Sequence, residues 1–204
     1  MSKEEEILKA AEEEFFRNGY DACSTAAIAR KAGVTHAMVN YYFRSKERLF
    51  VQILDNHVHG LLQSLKPLMT AEGDIVNVSV DAALAIFDKM NENRRFPFLL
   101  GDIARTHPDF LTRYKETFQT ICKDSIKMHE IRLEKSIAAG SVAPCTMDDI
   151  YSSVVTLAVT PFFVLPILEN VARLDSEEID ARLRVRREEM VRLLRARYAA
   201  GRQD

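Results

Sequence analysis

GVTHAMVNYYFRSKERLF, residues 33–50, sets Tyr41, Tyr42 and Phe43 beside Arg44, Lys46 and Arg48, with Glu47 as the lone acid. A buried segment would not carry those cations unpaired, and a plain solvated helix has no use for those aromatics. The local signals on either side place the stretch. Ser24 suits the N-cap of a short helix through Lys31, and Gly33 ends that helix. Thr35 caps the next helix, which ends near Tyr42, and Ser45 caps a longer fourth one. Ala29 is small where the two short helices must approach, and Ile28, Val34 and Val39 are apolar where they would pack. This is the pattern of a helix-turn-helix, a motif whose second helix enters the DNA major groove.

Charge along the chain fits that reading. The 204 residues carry a net charge of -2, so the molecule as a whole is no general polyanion binder. Residues 1–21 hold seven acids against three cations, whereas residues 22–50 hold five cations against one acid. The asymmetry predicts a local surface that faces an anion. Cys23, Cys122 and Cys145 are odd in number and widely spaced, which argues against a disulfide framework and fits a reducing cytoplasm. The acidic N-terminus has no apolar signal core.

Helical periodicity dominates the chain and strand-like alternation is nearly absent. The first helix spans residues 3–18, with Ile7, Leu8, Ala11 and Phe15 as its apolar stripe and Gly19 as its stop. Pro67 is expected to close the fourth helix. Further helices are expected over residues 74–91 and 97–105, then as one long helix from Pro108 to near Ala139. From Tyr151 to Leu168 there is no charge, and a buried helix broken at Pro161 is the favoured reading over a membrane span. Asp175 and Glu178 form a capping box for the last helix.

The run ILKAAEEEFFRNGYDACSTAAIARKAGVTHAMVNYYFRSKERLF resembles the N-terminal domain of the tetracycline-repressor (TetR) family of transcription regulators. AAEEEFFRNGY, IARKAGV and YYFRSKERLF carry the likeness, and Met38, Val39 and Asn40 depart from the TLY common in that family. The resemblance implies an all-α fold of nine or ten helices. Residues 1–50 would form a three-helix DNA-binding domain with the helix-turn-helix, and residues 51–204 a helical ligand-binding and dimerisation domain. On DNA, Ser24, Thr25, Tyr41, Tyr42 and Lys46 would meet phosphates. Thr35, His36, Ala37 and Asn40 would stand closest to base edges.

For the second domain the resemblance implies a homodimer and a pocket. Val154, Val155, Ala158, Phe162, Leu183, Met190, Leu194 and Tyr198 are the expected dimer surface. Met90, Phe96, Phe98, Tyr114, Phe118 and Phe163 are the candidate pocket residues, suited to an apolar or amphipathic small molecule. The function implied is a cytoplasmic repressor that binds a palindromic operator as a dimer and is released by its ligand. A helical carrier without DNA binding, and an enzyme on a helical bundle, are the rival classes. Against the enzyme, the seven glycines form no nucleotide loop, and His57 and His59 point to different sides of a helix. His107 and His129 have no partners at metal-ligand spacing, so neither a metal nor a cofactor is expected.

Overall fold

A computed structural model describes residues 2–199; of the side chains within it, those of residues 118 and 120–124 lie outside the description. Among the described residues ten α-helices follow one another: α1 (Lys3–Ala22), α2 (Thr25–Lys31), α3 (His36–Phe43), α4 (Lys46–Met69), α5 (Ile75–Glu92), α6 (Phe96–Thr106), α7 (Asp109–Thr112), α8 (Lys115–Ala138), α9 (Met147–Asn170) and α10 (Ser176–Tyr198). Among the described residues no strand forms; Val142 and Ala199 make one isolated bridge.

Helix starts follow the capping chemistry of the sequence. The Ser24 hydroxyl accepts from the Ala27 N–H at 3.2 Å, and Thr35 from Met38 at 3.3 Å. Ser45 accepts from Arg48, and Asp74 from Asn77. Thr146–Asp149 and Asp175–Glu178 both close reciprocal capping boxes. Gly19 adopts φ 77°, but α1 resumes beyond it to Ala22, so the glycine kinks the helix instead of ending it.

Three expectations about helix ends are corrected. Pro67 lies inside α4, which continues to Met69. The helix expected from Pro108 to Ala139 is two, the short α7 and then α8, with a break at Arg113 and Tyr114. Pro161 and Pro166 both sit within an unbroken α9. Each costs α9 a backbone hydrogen bond, but Phe162 and Leu165 between them are buried, and that packing holds the helix through both prolines.

The chain divides into two compact units. The first joins residues 1–60 to residues 95–113, so the division falls inside α4, between Gly60 and Leu61. This differs from the expected split into 1–50 and 51–204, and rings supply the reason. Phe50 packs on Phe15 at 4.9 Å, on Tyr20 at 4.7 Å and on Phe110 of α7 at 5.1 Å. Phe96 of α6 stacks on His57 at 4.8 Å. The outer faces of α1 and α4 are apolar and cannot stay wet, so α6 and α7 cover them.

The second unit holds residues 61–94 and 114–204. Its centre is α5 packed on α9 and α10, with Phe87 and Phe162 rings 5.1 Å apart. Arg187 grips Asp88 with two parallel hydrogen bonds, both 2.7 Å. The Tyr198 hydroxyl donates to the Asp149 carbonyl at 2.7 Å and lies 2.7 Å from Ser153 Oγ. These contacts tie the end of α10 to the first turns of α9.

A candidate nucleic-acid interface and a buried cavity

Helix α3 presents two faces. Val39 and Phe43 are buried against the first unit, while His36, Ala37, Asn40, Tyr41 and Tyr42 are exposed. Tyr41 is 73% exposed, an unusual state for so large a ring, and it meets Tyr42 edge-on at 5.3 Å. The turn before α3 is set by Gly33 at φ 64°, with the Val34 N–H bonded to the Ala29 carbonyl at 3.0 Å. Ala29 and Ile28 are buried, as the close approach of the two helices requires.

Ser24 and Thr35 are exposed caps whose oxygens accept from backbone N–H groups, leaving each hydroxyl hydrogen free to donate outward. His36 is turned toward its own fold. Its Nε2 lies 2.9 Å from Thr25 Oγ1, and its Nδ1 faces the Asn40 amide nitrogen at 3.5 Å. An amide nitrogen only donates, so Nδ1 accepts and Nε2 carries the ring N–H to Thr25. To read a base edge, His36 would have to exchange these partners; Thr35, Ala37 and Asn40 Oδ1 stand nearer to that task.

Lys46 does more than project a charge. Its ammonium donates to the Tyr20 and Cys23 carbonyls at 3.1 and 3.2 Å and sits 4.4 Å over the Tyr20 ring. An ammonium has three hydrogens, so one remains for an anion. Lys31 is also engaged, 3.0 Å from Glu13 and 3.1 Å from Glu14. Those hydrogen bonds, Glu13 first, raise its pKa, and the acids of α1 offset its charge. The exposed cations beside α3 are therefore Arg30, Arg44 and Arg48. Arg44 closes α3 at φ 65°, a conformation that costs a residue with a Cβ.

In the second unit a cavity of about 310 Å³ lies among α4, α5, α8 and α9. Aliphatic side chains form most of its wall, with Leu65, Leu68, Val78, Ile86, Ile126 and Ile150 among them. The polar groups on it are Ser79, Ser125, His129 and Tyr151. Among the described side chains, none of the candidate pocket residues from the sequence lines it. Met90 and Phe96 are core, the latter in the first unit with Phe98. Tyr114 begins α8 as its N-cap, Phe163 is 42% exposed, and Phe118 lies outside the described side chains.

His129 was missed because nothing in one sequence marks it. Burial, then the neighbouring Arg132 charge, holds its imidazole below the ordinary 6.5, while a hydrogen bond with the Leu68 backbone pulls the other way. The ring is therefore neutral at pH 7.

The expected dimer surface is corrected in the same unit. Val154, Ala158, Phe162, Leu183, Met190, Leu194 and Tyr198 are all buried within the chain; of the eight, only Val155 is exposed. Because α9 is apolar on every side, periodicity could not tell its inner stripe from its outer one. The outer stripe is Val155, Phe163, Val164 and Ile167, and a groove beside it runs between α9 and α10, with Val185 and Leu168 in its wall. By length and composition α9 could also cross a membrane. Burial and a nearby acid, Glu14, push the Cys23 thiol up to about 11, so it is no thiolate at neutral pH.

Residues 7–53 match the model for bacterial regulatory proteins of the tetR family. The chain is 27% identical over 148 residues to the HTH-type transcriptional activator FasR of Mycolicibacterium smegmatis, a match covering 68% of this chain and 66% of that one. It is 36% identical over 55 residues to the HTH-type transcriptional regulator QacR of Staphylococcus aureus, covering 27% and 29%. These matches span less than two thirds of either relative's length. Among solved structures, the ketosteroid transcriptional regulator KstR2 of Mycobacterium tuberculosis superposes with a TM-score of 0.70 over 97% of this chain and 95% of its own, at 17% identity. Over residues 7–53 the chain is thus similar to bacterial regulatory proteins of the tetR family, and over nearly its whole length its fold is similar to that of the solved regulator.

Proposed function

We propose that the protein is a cytoplasmic repressor that binds a palindromic operator as a homodimer and leaves it when a small apolar or amphipathic molecule occupies the cavity of the second unit. The observation that carries this reading is the outer face of α3. Exposed Tyr41 and Tyr42 stand on it, with Arg44 and Arg48 following in the chain. In this reading Thr35, Ala37 and Asn40 would meet base edges, and Ser24, Tyr42 and the third hydrogen of Lys46 would meet phosphates. Thr25 and His36 brace one another and support that surface.

The exposed row Val155, Phe163, Val164 and Ile167 on α9, with Val185 and Leu193 on α10, supports the dimer, since a second copy would cover it on both chains at once. Helix α4 contributes to both sites, with Lys46 at its start and Leu65, Leu68 and Met69 in the cavity wall near its end. A ligand that prefers one arrangement of those residues biases DNA affinity by the same factor by which DNA biases ligand affinity.

Selection from random duplex DNA tests the reading. An enriched inverted repeat is expected, with half-sites about one helical turn or a multiple apart. An unenriched pool would reject it. FasR is named an activator, so a reporter assay with the selected site is to be read for both signs.

A further inference from the structure

We propose that the cavity of the second unit takes an uncharged apolar molecule bearing one hydrogen-bond donor, an alcohol or a phenol, and that His129 Nε2 accepts that hydrogen. The inference rests on the reading of this cavity as the effector site and narrows the class of effector.

Three observations carry it. The first is chemical vacancy. Among the described residues, His129 Nε2 is the buried side-chain polar atom with no hydrogen-bond partner. The ring is only 8% exposed, so water does not compensate it. The other polar groups of the wall are engaged: the Ser79 hydroxyl donates to the Ile75 carbonyl at 2.7 Å, and Ser125 and Tyr151 have partners of their own.

The second is the position of the ring proton. Nδ1 lies 3.5 Å from the Tyr151 hydroxyl oxygen, which can accept its proton, whereas a proton on Nε2 would be a buried donor with no acceptor, the costlier arrangement. Nδ1 therefore carries the N–H, and Nε2 of the neutral ring offers a lone pair. A hydroxyl satisfies a lone pair; an ether or a ketone cannot.

The third is the wall itself. Among the described residues no side chain of fixed charge lines the cavity, so a carboxylate or ammonium would meet no counter-ion from them. Arg132, the nearby cation, is committed to the Ala71 carbonyl. With about 30 Å³ per water-sized group, the space accommodates on the order of ten non-hydrogen atoms.

Two isomers separate the hydrogen bond from the apolar fit. 1-Decanol and 1-methoxynonane have the same atoms, and only the alcohol has a donor. Titration calorimetry on the full chain is expected to show the alcohol binding about tenfold tighter than the ether, because an unpaired polar group on the site discriminates strongly. Decanoate, charged at pH 7.5, is expected to bind more weakly than decanol. His129→Leu should lower decanol affinity to that of the ether and leave the ether unchanged.

Equal affinity of the unaltered protein for the two isomers overturns the proposal, as does a preference that survives His129→Leu, or decanoate as the tightest of the three. If neither isomer binds, or if Ala82→Phe, which fills the cavity from α5, binds both as well as the unaltered chain does, the effector reading of the cavity fails with it.

Discussion

Lys46, the first residue of α4, lies 4.4 Å over the ring of Tyr20 in α1 and donates to that residue's own carbonyl at 3.1 Å. A cation at a helix C-terminus is favoured by the macrodipole, and here it also covers the orphan carbonyls of Tyr20 and Cys23. The residue that the TetR resemblance assigns to a phosphate is thus also a clamp between two helices.

Lys46→Met should therefore loosen the first unit as well as weaken DNA binding. Two charge-assisted hydrogen bonds at a half-buried site are worth about 2 kcal/mol after allowance for solvent. Native-state hydrogen exchange is the check, with faster exchange expected for amides in the last turn of α1 and the first of α4. Unchanged protection there would mean that the clamp carries no energy.

Tyr42→Phe separates phosphate binding from folding. The ring of Tyr42 is partly covered and its hydroxyl serves no fold contact on which α3 depends. Melting temperature should be unchanged, and affinity for every duplex should fall by about ten- to a hundredfold, the value of one hydrogen bond to a charged acceptor. A loss confined to one sequence would place Tyr42 among the base readers instead.

At Gly33 the constraint is conformation, not space, because a Cβ there would meet nothing within 4 Å. Gly33→Ala is expected to destabilise the first unit by about 1 kcal/mol through its positive φ. Gly33→Asn should cost less, since asparagine tolerates this region. Urea unfolding of both variants followed by circular dichroism decides it; equal midpoints would show that the turn is not under conformational control.

Buried and exposed residues of α9 should respond differently. Phe162→Ala removes a fully buried ring and should cost about 3–5 kcal/mol of stability. Ile167, 56% exposed, contributes little to the single chain, so Ile167→Glu should leave the melt nearly intact while converting dimer to monomer. Sedimentation velocity reads the second outcome, and a dimer that persists would move the interface elsewhere.

His129 sets a pH dependence. Its folded pKa is depressed mainly by burial, then by Arg132, and raised in part by Leu68, whereas in the unfolded chain it titrates near 6.5. At lower pH the unfolded state binds the proton that the folded state refuses. Stability is therefore complete above about pH 6.5 and declines as pH falls below that value, until the folded pKa is passed. Against His129→Leu, which lacks this contribution, the unaltered protein should lose more of its melting temperature between neutral and mildly acidic pH.

The sequence revealed most where the physics is local. Ser24, Thr35, Ser45 and Asp175 each cap the helix expected of them, because a cap needs only its own next three residues. What depended on tertiary packing was hidden. Pro161 read as a break, yet the burial of Phe162 and Leu165 keeps α9 whole through it and through Pro166. The allegiance of α6 and α7 to the first unit rests on rings separated by dozens of residues, such as Phe50 and Phe110. Large aromatics were expected to mark the pocket, but its described wall is mostly aliphatic, with Tyr151 and His129 among its few polar groups.

The central claim is that α3 and its flanking cations hold duplex DNA, and the salt dependence of that binding tests it most directly. Fluorescence anisotropy of a selected duplex should show affinity falling by about a thousandfold or more between about 50 and about 200 mM salt, the signature of several phosphate contacts in a dimer. An affinity that stays level across that range would contradict the account.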